Sequence, residues 1–459
     1  MKIAVLNGSP KGDISVTMQY VHFLEQKFPE TEFTYFDVAL KIKKLEKDQK
    51  AFQDVIAGVA AADAVLWAFP LYFLLVCSQY KRFIELIFEK NAVSAFHGKP
   101  AACLTTSINF FDYTAHHYIH AVCDDLGMKY FGSYSAEMND LLRTKERRRL
   151  KAFGDLFMKA IHEGTPSSRS NSPLTASDII FEAQDVTPVH PEGKKVLIVA
   201  DELPENSNLQ KMVERLRQTF SPPAEIVQLK DIDIKGGCLG CIRCGFDNAC
   251  AYDGKDGFRE FFNTKIKTAD ILFIAGAVHD RYLSSLWKCF FDRSFFNGHT
   301  PFLKDKQIGF VISGPFRQLH NLREIFEASI SFQQAGMNGF VSDDLGHAAE
   351  INAALQSMAS RSVAQSRLEY IPPPTFYQVA GNKVFRDIIF GRLRPVFQAD
   401  YRYYKEHGMF NFPQKHYKWR MINAVLVLLT RIPAFRREFT KRIKTEMIKP
   451  CANALKKTE

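Results

Sequence analysis

Two tandem doubly wound parallel sheets, an α/β architecture, followed by a basic and mainly helical C-terminal extension, are what this sequence predicts. Three observations carry the prediction: short apolar runs alternate with helical periodicity, the pattern occurs twice, and the excess of positive charge is confined to the end of the chain. In the first copy the order is IAVLNG, a helix from about Ser15, FTYFDV, a helix to about Ala60, AVLWAF, a helix through Phe83 and AACLTTS. Near-continuous runs of Val, Ile, Leu and Ala suit strands covered on both faces, as in a parallel sheet.

The second copy is read from fixed offsets. ADAVLWAFPLYFLLVCSQYKRFIEL begins at Ala62 and ADILFIAGAVHDRYLSSLWKCFFDR at Ala269, so that Asp63 and Asp270, Lys81 and Lys288, Phe83 and Phe290, and Glu85 and Asp292 all align at an offset of 207. The opening strands, KIAVLNG from Lys2 and KVLIVAD from Lys195, align at 193. The 14-residue difference is close to the length of one cysteine-rich stretch, CLGCIRCGFDNAC at 238–250, present only in the second copy. The boundaries that follow are a first domain at 1–163, a linker at 164–192 and a second domain at 193–365, with the extension at 366–459. The linker begins GTPSSRSNSPLTASD, a composition suited to exposed chain. IPPP at 371–374 must interrupt any helix in the extension.

From Ser366 onward there are 19 Lys and Arg against 7 Asp and Glu, whereas the rest of the 459-residue chain has 41 against 43. No apolar stretch reaches the roughly 18 to 20 residues that span a bilayer, and INAVLVLL at 422–429 gives way to Thr430, Arg431 and Pro433. The N-terminus lacks the basic stretch and apolar run of a secretory leader. A cytoplasmic location is expected, where thiols stay reduced and clustered cysteines suggest metal or redox chemistry. The segment 420–450 sets apolar residues beside eight Lys and Arg and two Glu. It suits a membrane surface, an acidic electron carrier, or packing on the domains with its basic face in water. No recognition module accompanies the charge, which argues against nucleic acid.

LNGSPKGDISVT joins the first strand to the first helix. Small residues at a helix N-terminus offer backbone N–H groups to an anion, with Ser9, Lys11, Ser15 and Thr17 as side-chain ligands; a plain turn capped by Ser15 is the alternative. There is neither GxGxxG nor GxxxxGK[ST], so a dinucleotide-binding fingerprint and a nucleotide-hydrolase loop are absent. FPLYF follows the third strand and TTSINF the fourth. Ligands of open α/β sheets bind at the carboxyl ends of strands around a switch point, and in flavodoxin-like sheets that ligand is FMN. Pro70, Leu71, Tyr72 and Phe73 would line the flavin ring, joined by Thr105, Thr106 and Ser107; core packing is the plainer role for Tyr72 and Phe73.

GSPKGDISVT, the FPLYF loop and the repeated AD…K-F-x-E/D pattern resemble the flavodoxin-like NAD(P)H-dependent FMN reductase family, over about residues 1–135 and 195–345. The cysteine loop is similar to that of iron–sulfur flavoproteins in the same superfamily. The resemblance implies two tandem flavodoxin-like sheets. It also implies an oxidoreductase in which FMN mediates electron transfer from NAD(P)H or a ferredoxin-type donor to a small-molecule or protein acceptor.

The second copy departs from the pattern. ADELPENSNLQ at 200–210 sets Asp201, Glu202 and Glu205 around the phosphate position, and Pro70 and Tyr72 correspond to Ala277 and His279. Carboxylates there repel a phosphate, so a second FMN is not expected. Cys238, Cys241, Cys244 and Cys250 form C-x2-C-x2-C-x5-C. Three cysteines at two-residue intervals resemble the cluster-binding run of ferredoxins, with Cys250 as fourth ligand of a [4Fe-4S] cluster; zinc or free redox thiols are the alternatives. The other five cysteines are isolated and read mostly as small buried hydrophobes. His116, His117 and His120 read as surface residues of a helix, and His279 as a loop residue able to titrate near neutrality. An internal pseudo-dimer is expected, bringing the cluster of one copy towards the flavin of the other, with or without further oligomerisation. Three functions compete: an iron–sulfur flavin oxidoreductase, a cluster-free FMN reductase, and a non-enzymatic zinc-stabilised scaffold.

Overall fold

Ile3 and Val5 enter one apolar layer and Ala4 and Leu6 another, so the first strand is covered on both faces. The computed structural model describes residues 1–412 and 416–455. In the first half, β1 (Lys2–Asn7), β2 (Glu32–Phe36), β3 (Ala64–Pro70), β4 (Pro100–Ser107) and β5 (Lys129–Glu137) form a parallel sheet in the order β2-β1-β3-β4-β5. In the second half the strands are β6 (Val196–Ala200), β7 (Glu225–Gln228), β8 (Ile271–His279), β9 (Tyr282–Leu283), β10 (Gln307–Ser313) and β11 (Gly336–Ser342). They run β7-β6-β8-β10-β11, with the short β9 antiparallel to β8. Without β9, both halves have the same strand order, the doubly wound flavodoxin-like arrangement.

The two halves share one core. A single buried cluster contains Trp67, Tyr80 and Phe83 from the first half and Trp287, Phe290 and Leu197 from the second. Helix Ser78–Glu89 packs on its counterpart Ser285–Ser294. The contacts are reciprocal: Ser78 N donates to Asp292 at 2.7 Å, and Ser285 N, 207 positions on, donates to Glu85 at 2.6 Å. Equivalent residues exchanging equivalent bonds are the mark of an isologous interface.

Residues 165–188 have no helix or strand, yet they do not form a free tether. Asp124 accepts from the N–H groups of Ser170 and Asn171 at 3.1 and 2.8 Å. Phe181 is fully buried in the second half's core, which corrects the expectation of exposed chain throughout. Met1–Tyr403 form one compact unit, including helix Phe376–Phe390 after the prolines, which packs on helix His320–Phe332. The residues from Tyr404 onward form a second unit, dominated by helices Tyr417–Leu429 and Pro433–Leu455. Among the described residues no helix is long and apolar enough to cross a membrane.

Candidate flavin site and cysteine loop

The turn after β1 is built by its own side chains. Asn7 Oδ1 accepts from Ser9 N at 3.0 Å while its amide donates to Asp37 at 2.8 Å, and Ser9 Oγ accepts from Lys11 N at 3.2 Å. Ser15 caps helix Val16–Lys27 by accepting from Met18 N. The cap and the cavity position coincide, because Ser9, Lys11 and Ser15 all line one cavity of about 360 Å3.

Pro70, Leu71, Tyr72 and Phe73 line the same cavity. Tyr72 and Leu75 close a tight turn by exchanging main-chain hydrogen bonds at 2.8 and 3.0 Å, forcing Phe73 and Leu74 to φ of 39° and 63°. Asn109 and Phe111, after β4, also have positive φ, at 56° and 58°. Left-handed conformations of bulky residues are costly and concentrate where a loop is shaped for a ligand. Phe73 is held by stacking on Phe291 of the other half, with ring centroids 5.5 Å apart.

Of the remaining candidate ligands, Thr106 and Ser107 reach the cavity, whereas Thr17 and Thr105 do not. Thr17 lies behind Thr106, hydroxyl to hydroxyl at 2.6 Å, and Thr105 is turned away onto His116 Nε2 at 2.7 Å. Strand alternation explains Thr105, since neighbours in a strand face opposite sides. His116 is therefore not a surface residue, and burial lowers its pKa. His120 stacks on Tyr130, and only His117 of the three is exposed.

The opposite wall of the cavity comes from the second half. Cys238, Cys241, Cys244 and Cys250 all line it, together with Tyr252 and Arg293. The loop is anchored across the join: Gln79 donates to the Cys238 carbonyl at 2.9 Å, and Lys43 donates to that of Lys235. Gly240 has φ of 62°, and a β-carbon there would collide with the Tyr72 hydroxyl and crowd Lys11. The cysteine loop thus abuts the 70–73 loop and the turn after β1 together. Burial pushes the thiols of Cys238 and Cys244 up to about 12, with the neighbouring cysteines adding to the effect. The same burial raises the Tyr72 hydroxyl, again reinforced by Cys238. Among the described residues, no three His, Cys, Asp or Glu side chains converge as a single metal ion requires.

Arg293 was not singled out by the sequence. Its guanidinium donates to Asp256 at 2.8 and 3.0 Å and to the Gly236 carbonyl at 2.9 Å, and it stacks over Tyr252 at 4.1 Å. Its buried Nε has no hydrogen-bond partner. Phe385, Leu393 and Phe397, from beyond the prolines, complete an aromatic wall with Phe332, Phe295 and Phe302.

The equivalent edge of the second sheet is filled by the chain itself. Asp343 accepts from Ser313 Oγ at 2.6 Å, Gly314 N at 2.7 Å and Asn208 Nδ2 at 3.1 Å. Ser207 caps its helix as Ser15 does in the first half, and the amide of the next residue, Asn208, also donates to the Ile179 carbonyl at 2.6 Å, so that the connecting segment crosses the edge. Asp201 is buried against Ser284, and burial raises its pKa. His279 is exposed and takes no part in the cavity.

A family model described as NADPH-dependent FMN reductase matches residues 1–140 and again residues 194–343. No curated protein matches the sequence. Among solved structures, FerB, a flavoenzyme NAD(P)H:(acceptor) oxidoreductase from Paracoccus denitrificans, is 19% identical, covering 36% of this chain and 98% of its own, with a TM-score of 0.29. RosB with bound 8-demethyl-8-formylriboflavin-5'-phosphate is 16% identical, covering 42% of this chain and 88% of its own, with a TM-score of 0.32. An FMN-dependent NADH-azoreductase from Bacillus anthracis, in complex with FMN, is 14% identical, covering 36% and 99%, with a TM-score of 0.26. With more than half of its residues inside the two matched segments, the chain belongs to the NADPH-dependent FMN reductase family, carried twice in tandem.

Proposed function

We propose that the protein is a flavin-dependent oxidoreductase with one FMN in its first half and a [4Fe-4S] cluster on the cysteine loop of its second. Electrons would pass between a reduced donor, NAD(P)H or a ferredoxin-type protein, and an acceptor. The observation that carries this reading is the single cavity bounded by Ser9, Lys11, Ser15 and the 70–73 loop on one side and by all four clustered cysteines on the other.

The residues fit both groups. Ser9, Lys11 and Ser15 offer hydroxyls and an ammonium beside a helix N-terminus, the chemistry that holds a phosphate. Leu71, Tyr72 and Phe73 offer an apolar wall for a planar ring. The four clustered cysteines all line the cavity, and four thiolates are the ligand number of a [4Fe-4S] cluster. Arg293, paired with Asp256, keeps one buried N–H without a partner beside the cysteines, a donor that a bound group could use. When bound, FMN supplies two-electron acceptance with one-electron release, and a cluster supplies a one-electron centre.

A cluster-free reductase is the second reading, favoured by the absence of a converged metal-binding group among the described residues. Anaerobically purified protein distinguishes the two. About four iron and four sulfide per chain, with flavin bands and a broad shoulder near roughly 400 nm, support the cluster, and Cys241→Ala should lose most of both elements. Flavin without iron supports the second reading. Zinc without flavin defeats both.

A further inference from the structure

The second unit carries a feature that the flavin site does not use. Helix Tyr417–Leu429 contains no buried residue, although its sequence, YKWRMINAVLVLL, is mostly apolar. Trp419, Met421, Val425 and Leu428 are between 56% and 69% exposed. At 100° per residue most of the apolar side chains, from Ala424 round to Trp419, cover a wide face interrupted only by Lys418 in the first turn, while Asn423, Val427 and Arg420 share the remainder. Contiguous apolar surface of this kind is not left in water by a soluble domain unless something covers it.

We propose that this helix lies in the surface of an anionic lipid bilayer and holds the oxidoreductase there. Its length decides against spanning: 13 residues rise about 20 Å, against about 30 Å of hydrocarbon. Its charge decides for lipid. Between His416 and Ile443 the chain has seven Lys and Arg and a single acidic residue, Glu438. Lys418 and Arg420 flank the start of the apolar helix, and Arg431 follows its end, positions from which long side chains reach the headgroups while their stems stay in the apolar layer. The next helix repeats the arrangement, with a ridge of Phe435, Phe439, Ile443 and Met447 at four-residue spacing beside Arg436, Arg437, Lys441 and Arg442. A bilayer fits a face this wide without needing a shaped groove, and its negative surface potential attracts each exposed cation.

Tryptophan fluorescence of the full-length protein tests this directly. Trp67 and Trp287 are fully buried, so Trp419 is the only exposed indole. The probes are vesicles of phosphatidylcholine alone and of phosphatidylcholine with phosphatidylserine. With the anionic vesicles the emission should shift to the blue, brominated acyl chains should quench it, and the protein should co-sediment. Val425→Glu with Leu428→Glu should weaken binding at least tenfold while leaving the near-ultraviolet circular dichroism unchanged, and added salt should weaken it in the wild type. No binding to anionic vesicles at low salt overturns the proposal. So does a Trp419 emission already blue and shielded without vesicles, which places the helix on protein. A dimer abolished by the same double substitution would assign the face to a second copy and overturns it equally.

Discussion

Lys81 donates to the main-chain oxygen of His279 at 3.3 Å, and its counterpart Lys288 donates to that of Tyr72 at 3.0 Å, each reaching into the other half of the chain. Both ammonium groups are fully buried. Lys81 pairs with Glu85 at 2.7 Å and Asp280 at 2.9 Å, and Lys288 pairs with Asp292. The carbonyl that Lys288 holds belongs to Tyr72, which lines the cavity, so the join between the halves also fixes one of its walls.

Removing one member of such a pair strands a buried charge. Lys288→Met should destabilise the protein by about 3–5 kcal/mol. Adding Asp292→Asn should recover part of that loss. Urea unfolding followed by circular dichroism measures both. A single variant as stable as wild type would show that the pair does not hold the halves.

Acid should loosen the same join. Glu85 accepts from Lys81, Arg82 and Ser285, and the favourable charges hold its carboxyl at about 2 despite burial. A lowered pKa contributes stability above the ordinary carboxylate value that is lost as pH falls towards the folded value. Burial pushes Asp280 the other way, to about 6, so its protonation comes first and does not produce this loss. Melting temperature should therefore fall steeply only below about pH 4.5, and Glu85→Gln should flatten that fall.

One FMN per chain is expected, because Asp343, Asn208 and the segment near Ile179 occupy the second sheet's edge. Ser9→Glu places a carboxylate at the phosphate turn and should weaken FMN binding at least tenfold. Flavin released by denaturation, counted against protein, gives both answers. Two flavins per chain would contradict the filled edge.

Gly240→Ala tests the contact between the loops. A β-carbon at φ 62° is strained and meets the Tyr72 hydroxyl. FMN affinity should drop several-fold, beyond the roughly 1 kcal/mol of stability that the strained alanine itself costs. An unchanged affinity would separate the cysteine loop from the flavin-ring loop.

The strands and the duplication were legible because they are written in local runs and fixed offsets. Ser9, Lys11, Ser15 and the 70–73 loop were legible because loop position follows from strand order. Thr105 misled because adjacent residues of one strand face opposite sides, and sequence alone did not say which of Thr105 and Thr106 faced the cavity. Arg293 was hidden inside an ordinary helical pattern, and its partners Asp256 and Gly236 lie far along the chain. Phe385, Leu393 and Phe397 were lost in the basic extension, since nothing local shows that a segment beyond three prolines folds back over a cavity.

The reciprocal bonds of Ser78 with Asp292 and Ser285 with Glu85 also bear on how such a molecule evolves. In a homodimer every substitution appears in both sites, so the two cannot specialise separately. Covalent joining removes that constraint. One copy is free to surrender its pocket and grow a thiol loop, while the other keeps the ancestral turn under separate selection. The buried join is the part in which a change on one side must still be matched on the other.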